Sequence, residues 1–293
     1  MPQTPTHHPV SVERHRAGSS ESAGGHAAGA RPARSTGTHP CGRLMEARDD
    51  HEVGFVLIHG SELGAWLWGR LVPLLRRPAL AVDLPGRGSR PADRRSLSLE
   101  DAVDSVTKDV EAWGVDRVIL VAHSFSGILV PALATRLGDR VASVALVGAS
   151  VPEEGKGWVD LQPPAQRAIL RLLYRLRPGG MLSGRGANRR SLGNDLDKAT
   201  TTMFLDRRVP EAPRLLLDPV SPVTIPAAIP RHYVRLLQDR SVSKAARERM
   251  IARLPGAQVH DLDSGHLPML SRPDELSAIL EGIADSSSGA NQP

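Results

Sequence analysis

From Val53 onward, short runs of β-branched and aliphatic residues alternate with stretches of helical periodicity, and this alternation restricts the chain to an α/β architecture. The decisive run is Arg117-Val118-Ile119-Leu120-Val121-Ala122. It lacks the polar alternation of a half-exposed strand, as a strand buried on both faces must. Val53-Gly54-Phe55-Val56-Leu57-Ile58 has the same character, followed by Ala79-Leu80-Ala81-Val82-Asp83 and a run from Val141 to Val147. Two more strands are expected near 233–237 and 258–262. Helices are expected over 66–75, 128–137, 243–253 and 274–284. Another opens at Ser98, where Asp101 three residues on completes a capping box, and Val103, Val106, Val110 and Trp113 line one face. The expected fold is α/β, a mostly parallel central sheet flanked by helices.

Composition divides the chain. Residues 1–50 are rich in Gly, Pro, Ser, Ala and Arg, bury too little apolar surface to offset ordering, and are expected to be a disordered tail. Its histidines (His7, His8, His15, His26, His39) have no metal-site spacing. Residues 51–150 form the first part of the core and 227–285 the second, with a short tail over 286–293. Between them, over 151–226, the alternation lapses. A helix at 166–176 with Ile169, Leu172, Leu173 and Leu176 sits there among Gly- and Pro-rich pieces. This segment is expected to be a cap, because ligands bind at the carboxyl ends of parallel strands.

A net charge of +5 and a pI near 9.9 would suit a polyanion partner. Yet only four of the 37 basic residues are lysine, the arginines are interspersed with acids, and aromatics are 3%. No basic stripe with stacking aromatics is visible, so nucleic acid is not expected as a partner. A single cysteine, Cys41, allows neither an intrachain disulfide nor a thiolate metal site. No apolar run approaches the roughly 18 residues of a membrane span, and no secretory h-region opens the chain. A cytoplasmic protein without a membrane partner is expected.

The apolar strand ending at Ala122 runs into His123-Ser124-Phe125-Ser126-Gly127. A serine hydroxyl is a poor nucleophile unless a base lies in hydrogen-bond reach and a third group holds that base. Ser124 sits at a strand-to-helix turn, the nucleophile elbow, with Ala122 and Ser126 standing where G-x-S-x-G has glycines. His266, in Asp263-Ser264-Gly265-His266, follows the last expected strand and is the candidate base. Asp239 follows the strand before it and is the strongest candidate acid. Asp261 and Asp263 are rivals, Asp218 lies in the cap or its exit, and Glu153 and Glu154 come late after the Val141 strand. The oxyanion needs two backbone N–H donors. Phe125, directly after the nucleophile, should supply one and Ser61 the other, with His59 and Gly60 shaping that loop. His59 reads as a structural hydrogen-bonding group rather than a second base.

Phe55-Val56-Leu57-Ile58-His59-Gly60, Gly64-Ala65-Trp66, Asp83-Leu84-Pro85-Gly86-Arg87-Gly88, Ala122-His123-Ser124-Phe125-Ser126-Gly127 and Ser264-Gly265-His266 together resemble the α/β-hydrolase superfamily. Within it they look most like the branch holding plant methylesterases and hydroxynitrile lyases. The resemblance implies a Ser–Asp–His triad with no metal or organic cofactor. It also implies ester cleavage rather than lyase chemistry, because such lyases carry threonine where this chain has Gly60 and lysine where it has Leu267. The expected function is therefore a serine hydrolase acting on a small carboxylic ester. The alternative is a non-hydrolytic protein of the same fold, such as a small-molecule receptor, or a lyase, perhydrolase or thioesterase.

Overall fold

The computed structural model describes residues 53–88 and 90–289. The expected N-terminal tail lies outside them. Six parallel strands form one sheet in the order β2-β1-β3-β4-β5-β6: β1 (Val53–Ile58), β2 (Ala79–Val82), β3 (Arg117–His123), β4 (Val141–Val147), β5 (Arg231–Leu236) and β6 (Gln258–Leu262). The run that reads as most apolar, β3, lies between β1 and β4, with every residue after Arg117 buried.

Helices cover both faces. On one, α1 (Leu99–Trp113) and α2 (Val130–Leu137) pack through Val103, Val106, Val110, Leu133 and Ala134. The Ser98–Asp101 capping box opens α1 as expected, with Ser98 Oγ accepting from Asp101 N and the Asp101 carboxylate accepting from Ser98 N. Each fully buried aliphatic side chain of this kind contributes about 1.5–3 kcal/mol. The other face is covered by Leu67, Trp68 and Leu71 and by the final helix through Leu276, Leu280 and Ile283. The helix expected over 66–75 is instead two single 3₁₀ turns, Ala65–Trp68 and Val72–Leu74. Gly69 closes the first and Pro73 opens the second, so no α-helical ladder spans both.

Between β4 and β5 lie a 3₁₀ turn and four helices: α3 (Pro164–Leu176), α4 (Arg185–Ser191), α5 (Lys198–Asp206) and α6 (Pro213–Leu217). The insertion touches loops that follow the carboxyl ends of the strands. Asn194 Nδ2 donates to Gln238 O at 3.0 Å, beyond β5, and Asp195 accepts from Gly265 N at 2.7 Å, beyond β6. Arg208 pairs with Glu62, beyond β1, and Glu211 with Arg87, beyond β2.

The chain closes with α7 (Lys244–Ala252), α8 (Pro268–Ser271) and α9 (Pro273–Gly289). The C-terminal tail expected from residue 286 is corrected over its first four residues, which continue α9. The serine-rich sequence hides the reason: Ser287 is buried and its hydroxyl meets Ser143 Oγ on β4 at 3.1 Å. No helix among the described residues is long and apolar enough to cross a membrane.

Candidate active site

Parallel strands deliver their carboxyl ends to one edge, and β3, β5 and β6 each bring one side chain there. Ser124 follows β3 directly and opens a 3₁₀ segment, Ser124–Leu129, with φ +55°. That left-handed backbone is unfavourable for a residue with a Cβ, by about 1–3 kcal/mol, and the surroundings must hold it. Two neighbours do so. Ser126 Oγ donates to Ile58 O at 2.9 Å and lies 3.0 Å from His123 O, while Ser150 N donates to Ser124 O at 2.9 Å. Gly127 permits the close approach, since a Cβ there would fall 2.5 Å from Ser150 O and 2.9 Å from Ala149 Cβ. The departure from two flanking glycines is thus accommodated: the position that must be bare is 127, and the small Ser126 bonds to the end of β1.

His266 lies beyond β6 with Nε2 2.9 Å from Ser124 Oγ and Nδ1 2.9 Å from Asp239 Oδ2. An ionised carboxylate only accepts, so Nδ1 carries the proton and Nε2 turns its lone pair to the serine hydroxyl. Asp239 is buried. Burial pushes its pKa up, but the attraction of His266 and hydrogen bonds from His266 and Ser241 outweigh this and hold it at about 2. The rival acids are engaged elsewhere: Asp261 with Arg235, Asp263 with Gln238, Asp218 with Arg214, Glu153 with Arg253 and Glu154 with Val223 N.

The loop after β1 abuts the elbow. A Cβ on Gly60 would lie 3.1 Å from Ser124 Cβ and 3.0 Å from His123 Nδ1. His59 Nδ1 donates to Gly60 O at 2.8 Å and its Nε2 accepts from Leu84 N at 3.2 Å, a neutral tautomer with both nitrogens used. Burial, together with the nearby Arg87, keeps its pKa well below the usual imidazole range. Ser61 N–H follows in that loop. Phe125 N–H lies in the first turn of its segment, where no intrahelical acceptor is available.

The family model described as alpha/beta hydrolase matches residues 55–279. The chain belongs to the alpha/beta hydrolase family. Relatives fall in the methylesterase-like branch that the motifs resemble. One is "Putative methylesterase 11, chloroplastic" from Arabidopsis thaliana, 26% identical over 260 residues, covering 80% of this chain and 65% of that protein. The chain thus spans just under two thirds of that relative. "Esterase PIR7B" from Oryza sativa subsp. japonica is 28% identical, covering 82% of this chain and 99% of that protein. Among solved structures, an extracellular alpha/beta-hydrolase from a Paenibacillus species superposes with a TM-score of 0.72 at 19% identity, covering 78% of this chain and 98% of that one. Methylesterase MES16 from Arabidopsis does so at 0.63 and 22% identity, covering 80% and 99%.

Two further groups at this site lie outside the set that the sequence singles out. Ser241 Oγ lies 3.0 Å from His266 Nδ1, and Ser241 N donates to Asp239 Oδ1 at 2.7 Å, so one residue steadies both acid and imidazole. His123, fully buried, lies with Nε2 2.8 Å from the His266 carbonyl, which can only accept, so Nε2 carries the proton. Burial, then repulsion from His266, pushes the His123 pKa down to about 3, although its bond to His266 O and the charge of Asp239 oppose this.

Between pH 6.5 and about 3 the unfolded chain binds a proton at this histidine that the folded one refuses, so stability falls on acidification. The shift corresponds to on the order of 5 kcal/mol. A His123→Asn protein should therefore show a shallower acid limb than wild type in urea unfolding across that range. Parallel limbs would remove His123 as the cause.

Proposed function

We propose that this hydrolase cleaves small carboxylic esters through an acyl-enzyme formed on Ser124. The observation that carries this reading is the continuous hydrogen-bond chain Ser124 Oγ–His266 Nε2 and His266 Nδ1–Asp239 Oδ2 at the carboxyl edge of the sheet. His266 takes the serine proton as Oγ attacks the acyl carbon, and Asp239 steadies the imidazolium. Ser61 and Phe125 N–H groups receive the charge that develops on the carbonyl oxygen. The proton passes to the departing alcohol. Water, deprotonated by His266, then attacks the acyl carbon, the acyl–Oγ bond breaks as His266 returns the proton to Ser124 Oγ, and the acid departs. No metal or organic cofactor takes part in these steps.

Names of the relatives, methylesterase and esterase, support an ester substrate. Gly60 and Leu267 support hydrolysis over lyase chemistry, because the lyases of the branch that the motifs resemble carry threonine and lysine at these positions. The insertion, docked on the loops beyond β1, β2, β5 and β6, is the cap that bounds the substrate pocket.

The test combines labelling with turnover. A fluorophosphonate probe, which needs an activated serine, should modify Ser124, and p-nitrophenyl acetate should be hydrolysed. A panel of p-nitrophenyl esters of increasing acyl length should favour the short ones. Absence of both labelling and turnover in folded protein would sink the reading in favour of a receptor-like role.

A further inference from the structure

Ser61 lies between two peptide planes, and each is held from a different side. The plane bearing Ser61 N–H has Gly60 O as its carbonyl, fixed by His59 Nδ1. The next plane bears Glu62 N–H, which donates to Glu211 Oε2 at 2.9 Å. Glu62 has φ +62°, a left-handed conformation that a residue with a Cβ rarely adopts. Its carbonyl accepts from Val209 N at 2.9 Å. Its carboxylate accepts from Ser183 N at 2.6 Å, Ser183 Oγ at 3.1 Å and Arg208 Nη1 at 2.7 Å. Glu211 in turn is bound by Arg87 on both oxygens and accepts from Ala212 N. Ser183, Arg208, Val209 and Glu211 all belong to the insertion.

All four charged side chains are buried, Glu62 at 6% exposure, Arg87 at 4%, Arg208 at 7% and Glu211 at 0%. Burying ions is costly, and apolar packing would attach an insertion as firmly. Apolar packing has no direction, however, whereas a hydrogen bond fixes the orientation of the peptide that makes it. A network that grips the N–H, C=O and carboxylate of the residue next to Ser61 suits orientation rather than adhesion.

We propose that Glu62 is the positioning residue of the oxyanion loop, clamped by Ser183, Arg208 and Glu211, so that the insertion aims the Ser61 N–H. This rests on Ser61 being an oxyanion donor in the ester hydrolysis proposed above. The insertion is then part of the transition-state machinery as well as a wall of the pocket.

The experiment compares full-length wild type, Glu62→Gln and Ser183→Ala with p-nitrophenyl acetate, and measures inhibition by a trifluoromethyl ketone that forms a tetrahedral adduct on the serine. Losing one oxyanion donor costs about 10²–10³ in kcat, and a misaimed one should cost part of that. Glu62→Gln should lower kcat about 10–100-fold with KM nearly unchanged, weaken the ketone in parallel, and leave the pH profile in place. A merely structural tether would lower the melting temperature without moving kcat or the ketone Ki of the folded protein, and that result overturns the proposal. Should Glu62→Gln fail to fold, Ser183→Ala decides. It removes the Ser183 hydroxyl from Glu62, Arg208 and Asn188 while leaving the Ser183 N–H on Glu62, and an unchanged kcat and Ki there would overturn the clamp equally. A fully active Glu62→Gln beside an inactive Ser124→Ala refutes the clamp and leaves the esterase reading standing. Wild-type rates in Ser124→Ala, or an inactive wild type, remove both.

Discussion

Replacing Ser124 by alanine is expected to lower kcat for p-nitrophenyl acetate by about 10⁶, with KM little changed. The size of the loss follows from the way the residues act together. Without Oγ there is no atom to form the acyl-enzyme, and His266 has nothing to deprotonate at the right distance. The residual rate should reflect binding and the oxyanion donors alone, roughly 10³–10⁴ over water in triad enzymes. Folding should survive, because among the described residues the side chain of Ser124 hydrogen-bonds only to His266 Nε2, at 2.9 Å. His266→Ala should reach a similar floor, and the double variant should lose no more than either single one. A Ser124→Ala protein of wild-type activity would place the nucleophile elsewhere.

Asp239→Asn is expected to cost about 10⁴ in kcat, through proton placement rather than geometry. The carboxylate can only accept, and that forces the proton onto Nδ1 and the lone pair onto Nε2. An amide can turn its NH₂ toward Nδ1, stabilising the tautomer whose proton points at the serine, and it offers no charge to the imidazolium. Ser241 Oγ, 3.0 Å from the same Nδ1, can still accept from it. Ser241→Ala in the Asp239→Asn background should therefore deepen the loss, while Ser241→Ala alone should have a small effect. Steady-state kinetics over pH 5–9 on the three variants checks both statements. If Asp239→Asn is within tenfold of wild type, the acid has been misassigned.

The centre of the sheet was legible because β1, β3 and β4 are buried almost throughout and are apolar apart from Arg117, His123 and Ser143, with no competing pattern. The α1 cap was equally plain, since Ser98 and Asp101 act within one turn. Asp239, His266 and Ser124 could be paired from chain order, because β3, β5 and β6 must deliver their loops to one edge. Helices α4, α5 and α6 could not be read. They are five to nine residues long, carry arginine or threonine where periodicity would need apolar residues, and are held by contacts to the core. The Glu62 network is invisible for a similar reason. Glu62 and Arg87 lie more than a hundred residues before Arg208 and Glu211, and each looks like an ordinary surface charge until the fold buries them together. Ser241 had no signal beyond lying two residues after Asp239.

Ser126 changes what a missing glycine means at such a turn. The proposed nucleophile follows the end of β3 and the proposed oxyanion donor lies in the loop leaving β1, where the ladder between the two strands ends at Ile58 and Ala122. The Ser126 hydroxyl, reaching from the elbow to the last carbonyl of β1, is a cross-brace between them. The brace carries the pairing of the two strands one step past the end of their ladder, to the turn on which Ser124 sits. A glycine at that position would restore the familiar motif and take away the brace.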